Sequence, residues 1–324
     1  MKTEEKYMRR ALELASHGRL DASPNPMVGA VIVGNDGRII GEGWHRRCGE
    51  GHAEVNAIAS VKDEALLQDS TMYVTLEPCS HYGKTPPCAR LIVDKKIPRV
   101  VVGTTDPFEK VSGRGIAILR EAGVEVVTGV LEDECRRLNS KFFTAHTLRR
   151  PFITLKWAES ADRFIDGRIS TPLTAVLVHK LRAEHDAILV GSGTYLADSP
   201  GLDTRLFAGR SPRRFVLDRR GRTVTPDDVT VISEYDSLSA VMSLLYADGV
   251  TSLLVEGGAG VLRSFMAEGL WDKIRVERSP VCIGGRVQAP DVPSDAVTES
   301  RAMVDGNCIT CYVKPDKRKI TTEI

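Results

Sequence analysis

The sequence predicts an α/β protein built as two consecutive domains. Three observations carry this. Strand-like apolar runs alternate with segments of helical periodicity through most of the chain. The length, 324 residues, exceeds what one core usually organises. A short basic, proline-marked joint, "TLRRPF" at 147–152, separates one βα series from a second. The expected domains are 1–147 and 148–324.

The first series opens with a helix over 3–17, where Tyr7, Met8, Ala11, Leu12 and Ala15 fall at helical spacing, with Thr3 as N-cap and Gly18 as stop. "MVGAVIVG" and "RIIGEGW" read as strands joined by the turn "NDG". A helix over 53–62, a strand at 71–76 and a helix over 87–95 follow. Next come the strand "RVVVG", the helix "GRGIAILREAG", the strand "VEVVTG" and a single helix over 132–144. The second series runs through the strand "FITLKWA", a helix near 173–184, and the strands "AILVG", "RRFVLD" and "VTVIS". It ends with a helix over 237–248, the strand "SLLVEGG", a helix over 260–268 and the segment "KIRVERSPVCIGG". No internal repeat or low-complexity tract is visible.

Bulk properties narrow the function. Lys and Arg total 44 against 43 Asp and Glu, a net charge of +1, which argues against a polyanion binder. No apolar run reaches the ~18–20 residues of a membrane span, and "MKTEEKYMRR" lacks the apolar stretch of a secretory signal. Seven cysteines, an odd number, suggest reduced thiols in a cytoplasmic protein.

The chemistry concentrates in "HAE" at 52–54 and "EPCSHYGKTPPC" at 77–88. His52, Cys79 and Cys88 offer three soft metal ligands, and a catalytic zinc site keeps three protein ligands with one open position. Glu54, two residues past His52, can enter the same cavity without ligating. Zinc makes water nucleophilic near neutral pH, and a carboxylate is then needed to carry its proton to leaving ammonia. Zinc nucleobase deaminases use this pattern, with two residues between their cysteines; here eight intervene. Pro78 and Pro87 precede the cysteines, as expected if each fixes a helix start that favours a thiolate. Cys48 reads as a rim residue, and "CITC" at 308–311 as strand structure. A purely structural zinc in a ligand-binding protein is the competing reading, but it has no use for Glu54. A nucleic-acid deaminase is disfavoured by the near-neutral charge.

In the second series no GxGxxG follows a strand, so a Rossmann domain is not expected. "LLVEGGAG" instead runs a strand into glycines and a helix, which suits either a phosphate approach or a tight turn.

The motifs "SPNPMVGAVIV", "GWHRRCGEGHAEVNAI" and "LEPCSHYGKTPPC", with "RPFITLKWAES", "LRAEHDAILVGSGTYLADSPGLDTR" and "VEGGAGVLRSF", cover nearly the whole chain. The chain thereby resembles the bifunctional riboflavin-biosynthesis deaminase/reductases of bacteria. The resemblance implies a cytidine-deaminase-like three-layer αβα domain followed by a dihydrofolate-reductase-like α/β domain. It implies deamination of 2,5-diamino-6-(5-phosphoribosylamino)pyrimidin-4(3H)-one, then NADPH-dependent reduction to 5-amino-6-(5-phosphoribitylamino)uracil. Zn2+ would be held by His52, Cys79 and Cys88, with Glu54 as proton shuttle. Asn25 and His45 would line the deaminase pocket. Ala158, Thr194, Asp198, Arg219, Gly257, Gly258 and Gly260 would serve NADPH. Arg182, Leu202, Arg205 and Glu256 would serve the reductase substrate; a guanidinium suits a sugar phosphate. Arg219 could hold the 2′-phosphate, although basic runs such as "LDRRGR" are usually solvated. The expected partners are the small-molecule pyrimidine ribosyl phosphate and further copies of the chain as a homo-oligomer, with no nucleic acid and no membrane.

Three departures bear on the reductase. Arg163 replaces a usual Gly in "SADRF", the 163–170 segment is shorter and lacks a usual Ser and Trp, and Val281 replaces a usual Lys. The alternative reading is therefore a deaminase with a degenerate, non-reducing second domain.

Overall fold

A computed structural model describes residues 3–82, 86–107 and 113–315. The chain divides into two compact units, Met1–Arg149 and Arg150–Ile324.

The N-terminal unit orders α1 (Thr3–Ser16), β1 (Gly29–Val33), β2 (Ile39–Trp44), α2 (Ala53–Ala59), a 3-10 turn (Glu64–Asp69), β3 (Thr71–Leu76), α3 (Cys88–Asp94), β4 (Arg99–Thr104), α4 (Arg114–Glu121), β5 (Glu125–Thr128), α5 (Glu132–Leu138) and α6 (Ser140–Leu148). Its sheet runs β2-β1-β3-β4-β5. The β1–β2 hairpin is antiparallel, as "NDG" suggested, and β3, β4 and β5 are parallel. Alternate strand residues face opposite sides, which makes three layers. Ala30, Ile32, Met72, Val74, Val100 and Val102 pack under α2, α3 and α4. Val31, Val33, Tyr73 and Val101 pack under α1 and α5. Two glycines let the helices come this close. A Cβ at Gly29 would lie 2.0 Å from the Ala11 carbonyl oxygen of α1, and one at Gly43 would lie 2.3 Å from the Ala57 nitrogen of α2.

Two local expectations are corrected. Thr3 is the first residue of α1 rather than its cap. The single helix expected over 132–144 is two, broken at Asn139, where φ is −102° and ψ 24°. The break has a cause: the Asn139 side chain accepts from Met27 N and donates to Met27 O, both at 2.8 Å, and is 2% exposed.

The C-terminal unit contains β6 (Phe152–Glu159), α7 (Pro172–Ala183), β7 (Ala187–Gly191), α8 (Ser192–Asp198), β8 (Arg213–Leu217), β9 (Val229–Ile232), α9 (Leu238–Ala247), β10 (Ser252–Glu256), α10 (Ala259–Ala267), β11 (Lys273–Arg278), β12 (Val297–Val304) and β13 (Asn307–Val313). Its eight-stranded sheet runs β12-β13-β11-β6-β10-β7-β8-β9, parallel from β11 to β9, with the β12–β13 hairpin antiparallel at one end. One face packs α9 and α10 over Leu155, Trp157, Val255, Ile274 and Val276. The other carries Ile188, Val190, Val216 and Leu254 with Leu181 of α7. Thr171 closes a capping box with Thr174 at the start of α7. Sequence periodicity missed α8, which follows β7 with no loop, and β12, exposed at every residue but its last. "CITC" lies within β13 as strand structure, Cys308 opposite Arg278 and Cys311 opposite Arg275. No helix of the described residues is long and apolar enough to cross a membrane.

Candidate active sites

The fold brings His52, Cys79 and Cys88 together. His52 is the N-cap of α2, Cys79 follows β3, and Cys88 opens α3. Pro87 caps α3 as expected, but Pro78 starts no helix. It follows β3, and Gly115 of α4 packs so closely on it that a Cβ there would meet the Pro78 carbonyl at 2.0 Å. Cys79 is held instead by α3: its Sγ accepts the Cys88 N–H at 3.2 Å, and its carbonyl accepts from Ala89 N. His52 Nδ1 lies 3.5 Å from Cys79 Sγ and 3.3 Å from Cys88 Sγ. Tetrahedral zinc at ordinary bond lengths separates a nitrogen and a sulfur ligand by about 3.6 Å, so the donors fit that ion. The Cys79 thiol is pulled down to about 4 by hydrogen bonding from the Cys88 thiol, with His52 and the Cys88 N–H assisting against burial. Cys88, sharing its proton with Cys79, is pushed up. Residues 83–85 of the motif lie outside the described residues.

Glu54 is 3% exposed and makes no part of the donor set. Burial and the Cys79 thiolate push its carboxyl up to about 7, opposed by His52. A dication beside it acts in the opposite sense. A carboxyl balanced this way suits proton transfer in both directions.

A cavity of about 420 Å³ opens on this cluster. Asn25 and His45 line it together: Asn25 Nδ2 lies 3.2 Å from His45 Nε2, and His45 Nδ1 lies 3.2 Å from Gly51 O. This pairing selects the neutral imidazole with its proton on Nδ1, and burial also lowers the His45 pKa. Asn139 fixes the neighbouring Met27 and so the loop that presents Asn25. Asp106, Phe142 and His146 complete the wall and were missed by sequence reasoning. Phe142 and His146, four residues apart on α6, touch with ring centroids at 4.4 Å. That spacing was the available signal. Glu77, also on the wall, is 3% exposed, and its carboxylate accepts from the N–H groups of Asp106, Gly113, Gly115 and Ile116.

In the C-terminal unit, Arg182 and Glu256 form a bidentate pair, Nε to Oε1 at 2.9 Å and Nη2 to Oε2 at 2.8 Å. Burial pushes the Glu256 carboxyl up, but Lys156 and Arg182 hold it below its ordinary range. Lys156 was missed; a lysine inside the apolar strand "FITLKWA" was the signal. It stands in register between Glu256 and Arg275, beside Ala158. Thr194 on α8 meets the glycine corner: its Oγ1 accepts the Gly258 N–H at 2.7 Å, and a Cβ on Gly258 would sit 2.9 Å from that oxygen. Gly257 lies at the same corner, while a Cβ on Gly260 would meet nothing within 4 Å. Asp198 is exposed at the end of α8. Leu202 is 1% exposed with φ 51°, and Arg205 is paired to Asp203 at 2.7 Å. Arg219 lies over the Tyr235 ring, 4.1 Å from its centroid. Arg222, not singled out from the sequence, reaches Ser192 Oγ at the β7–α8 junction instead, at 2.8 Å.

Arg163 has φ 66°, the left-handed conformation anticipated where the resembled family has Gly. Its guanidinium reaches Pro290 O at 2.9 Å and Asp291 at 3.0 Å. Val281 is 59% exposed.

Comparison with known proteins places both units in known families. Residues 1–104 match the family model of the cytidine and deoxycytidylate deaminase zinc-binding region, and residues 151–308 match the RibD C-terminal domain. The chain is 36% identical to the riboflavin biosynthesis protein RibD of Aquifex aeolicus, covering 92% of each. It is 38% identical to that of Bacillus amyloliquefaciens, covering 90% of this chain and 88% of that one. A Thermotoga maritima diaminohydroxyphosphoribosylaminopyrimidine deaminase/5-amino-6-(5-phosphoribosylamino)uracil reductase superposes with a TM-score of 0.87 at 36% identity, over 97% of this chain and 99% of that one. Acinetobacter baumannii RibD superposes at 0.86 with 31% identity and the same coverage. The chain belongs to the RibD family, the bifunctional deaminase and reductase of riboflavin biosynthesis, which uses zinc and NADPH.

Proposed function

We propose that the N-terminal unit hydrolyses the amino group from 2,5-diamino-6-(5-phosphoribosylamino)pyrimidin-4(3H)-one, and that the C-terminal unit reduces the ribosyl group of that product to ribityl. The observation that supports this most directly is the convergence of three metal donors, a buried non-ligating carboxylate and an amide–imidazole pair on one cavity. His52, Cys79 and Cys88 would hold zinc, whose Lewis acidity makes water nucleophilic near neutral pH. Glu54 takes the water proton and returns it to the departing ammonia. Asn25 and neutral His45 orient the pyrimidine ring.

In the second unit NADPH supplies the reducing equivalent. Thr194, Gly257, Gly258 and Gly260 form the corner that would receive its phosphates, and Ala158, Asp198 and Arg219 would complete the cofactor site, Arg219 toward the 2′-phosphate. Arg182, Leu202, Arg205 and Glu256 would hold the phosphorylated substrate. None of the seven cysteines is joined in a disulfide, which suits a cytoplasmic protein.

The purified full chain, with zinc content measured, is given the diaminopyrimidinone ribosyl phosphate with and without NADPH. Deaminated ribosyl product without NADPH and ribityl product with it are expected. Deaminated product that is never reduced would refute the second assignment and select the degenerate-domain reading. Glu54→Gln should keep its zinc and lose deamination by about 10²–10⁴-fold; near-normal turnover would refute the shuttle role.

A further inference from the structure

One buried histidine of the reductase unit is not accounted for by the roles above. His179 lies one turn before Arg182 on α7 and is 5% exposed. Its Nδ1 has no hydrogen-bond partner among the described residues. An unpaired buried polar atom is costly, so its retention calls for a reason. The nearest opposite charge is Asp203 Oδ1 at 3.9 Å, too far for a hydrogen bond. Asp203 is occupied elsewhere: Oδ1 accepts from Arg205 Nη1 at 2.7 Å, and its carbonyl accepts from Arg182 Nη1 at 3.1 Å. The loop that carries it is strained. Ser199 and Leu202 are left-handed, with φ 42° and 51°. Such outliers in non-glycine residues mark places that the surrounding structure over-determines.

Arg205 therefore serves two acceptors. Its guanidinium holds Asp203, yet it is also the group read above as grasping the substrate phosphate. A phosphate that draws Arg205 away leaves the Asp203 carboxylate needing another donor, and His179 is within a small side-chain rotation of it.

We propose that His179 takes over Asp203 when the substrate phosphate engages Arg205, picking up a proton from solvent as it does so. The inference rests on the reading of Arg205 as a phosphate residue. The charged groups facing His179 are Arg182 on its own helix, Arg205 and Asp203 on the loop, and Glu256 on β10. Burial and the two arginines hold its imidazole below the ordinary range, opposed by Asp203 and Glu256. The free site thus starts neutral, and a dianionic phosphate on Arg205 removes one of the charges that keeps it so. No covalent bond changes. One ion pair is exchanged for two, and one proton enters. His179 is a positioning residue, acting through Asp203 and Arg205.

The test uses the full chain, NADPH and the deaminated ribosyl phosphate. His179→Phe keeps an aromatic ring of similar size without its nitrogens. It should raise the KM for this substrate at least tenfold, with the KM for NADPH and the deaminase turnover unchanged. Calorimetry in two buffers of different ionisation enthalpy should show proton uptake on substrate binding near pH 7.5 in the parent and none in the variant. In an Asp203→Asn background, where no carboxylate remains for either cation to neutralise, His179→Phe should cost nothing further. An unchanged KM in folded His179→Phe overturns the proposal. So does a parent that binds without taking up a proton, or a full penalty persisting in the Asp203→Asn background. Arg205→Ala is run beside these: an unchanged KM there refutes the phosphate reading itself, a different failure from that of His179.

Discussion

Glu77 offers the sharpest test of how the deaminase wall is held. Glu77→Gln keeps the shape of the side chain and removes one acceptor. At present Oε1 accepts from Gly115 N at 2.9 Å and Ile116 N at 3.3 Å, and Oε2 accepts from Gly113 N at 3.0 Å and Asp106 N at 3.2 Å. An amide can satisfy one pair of N–H groups and must turn its own NH2 toward the other. Gly115 is buried and Gly113 exposed, so the amide oxygen should stay with Gly115 and Ile116. The Asp106 and Gly113 amides are then opposed by a donor. Two unsatisfied donors at about 1–3 kcal/mol each, partly relieved by water, and a lost negative charge at the α4 N-terminus at about 0.3–1 kcal/mol, sum to roughly 2–5 kcal/mol. At about 2–4 °C per kcal/mol for a unit of this size, melting of the N-terminal unit should fall by roughly 5–15 °C. Cys79 lies two residues on, so zinc retention during dialysis should fall as well. Differential scanning calorimetry and metal analysis on the full chain measure both. A shift below about 1 °C with full zinc content would refute the view that this carboxylate organises the loop.

Other expectations follow from the same contacts. Asn139→Ala removes both hydrogen bonds to Met27; it should cost about 2 kcal/mol and raise the deaminase KM while leaving reduction unchanged, which denaturation and paired assays would show. Arg163→Gly relieves a left-handed arginine but frees the unfolded chain, so stability should change by less than about 1 kcal/mol and reductase turnover by less than twofold. A tenfold gain in reduction would instead identify Arg163 as a lesion. Chelation of zinc should abolish deamination and lower the melting temperature of the N-terminal unit, with reduction of supplied deaminated substrate intact and Zn2+ restoring the loss. Burial lowers the pKa of His146 and of His179, so the unfolded chain binds protons that the native one refuses as pH falls below about 6.5. Unfolding free energy should therefore decline between pH 7.5 and 5.5. Flat stability over that range would contradict their neutral burial.

Most strands and longer helices were legible from sequence because each buries one face or stripe, and burial imposes a period of 2 or 3.6. β12 escaped because it buries almost nothing and so has no period to read. The split of the helix over 132–144 escaped because its cause is Met27, a residue 112 positions away. The candidate metal donors and Glu54 stood out in the sequence because metal ligation restricts residue types and their order along the chain.

The sequence by itself determined most of the strands and longer helices, the candidate metal donor set and the likeness to a two-step riboflavin enzyme. Those are local or compositional properties. Only the tertiary structure decided that Phe142 and His146 face the zinc cavity, and that Arg182 and Glu256 are partners. The same holds for the pairing of Arg205 with Asp203, which leaves His179 Nδ1 without a partner among the described residues. The reason is physical: a side chain's partner is set by which strand register and helix face bring it within about 3 Å, and sequence spacing does not encode that across separate elements.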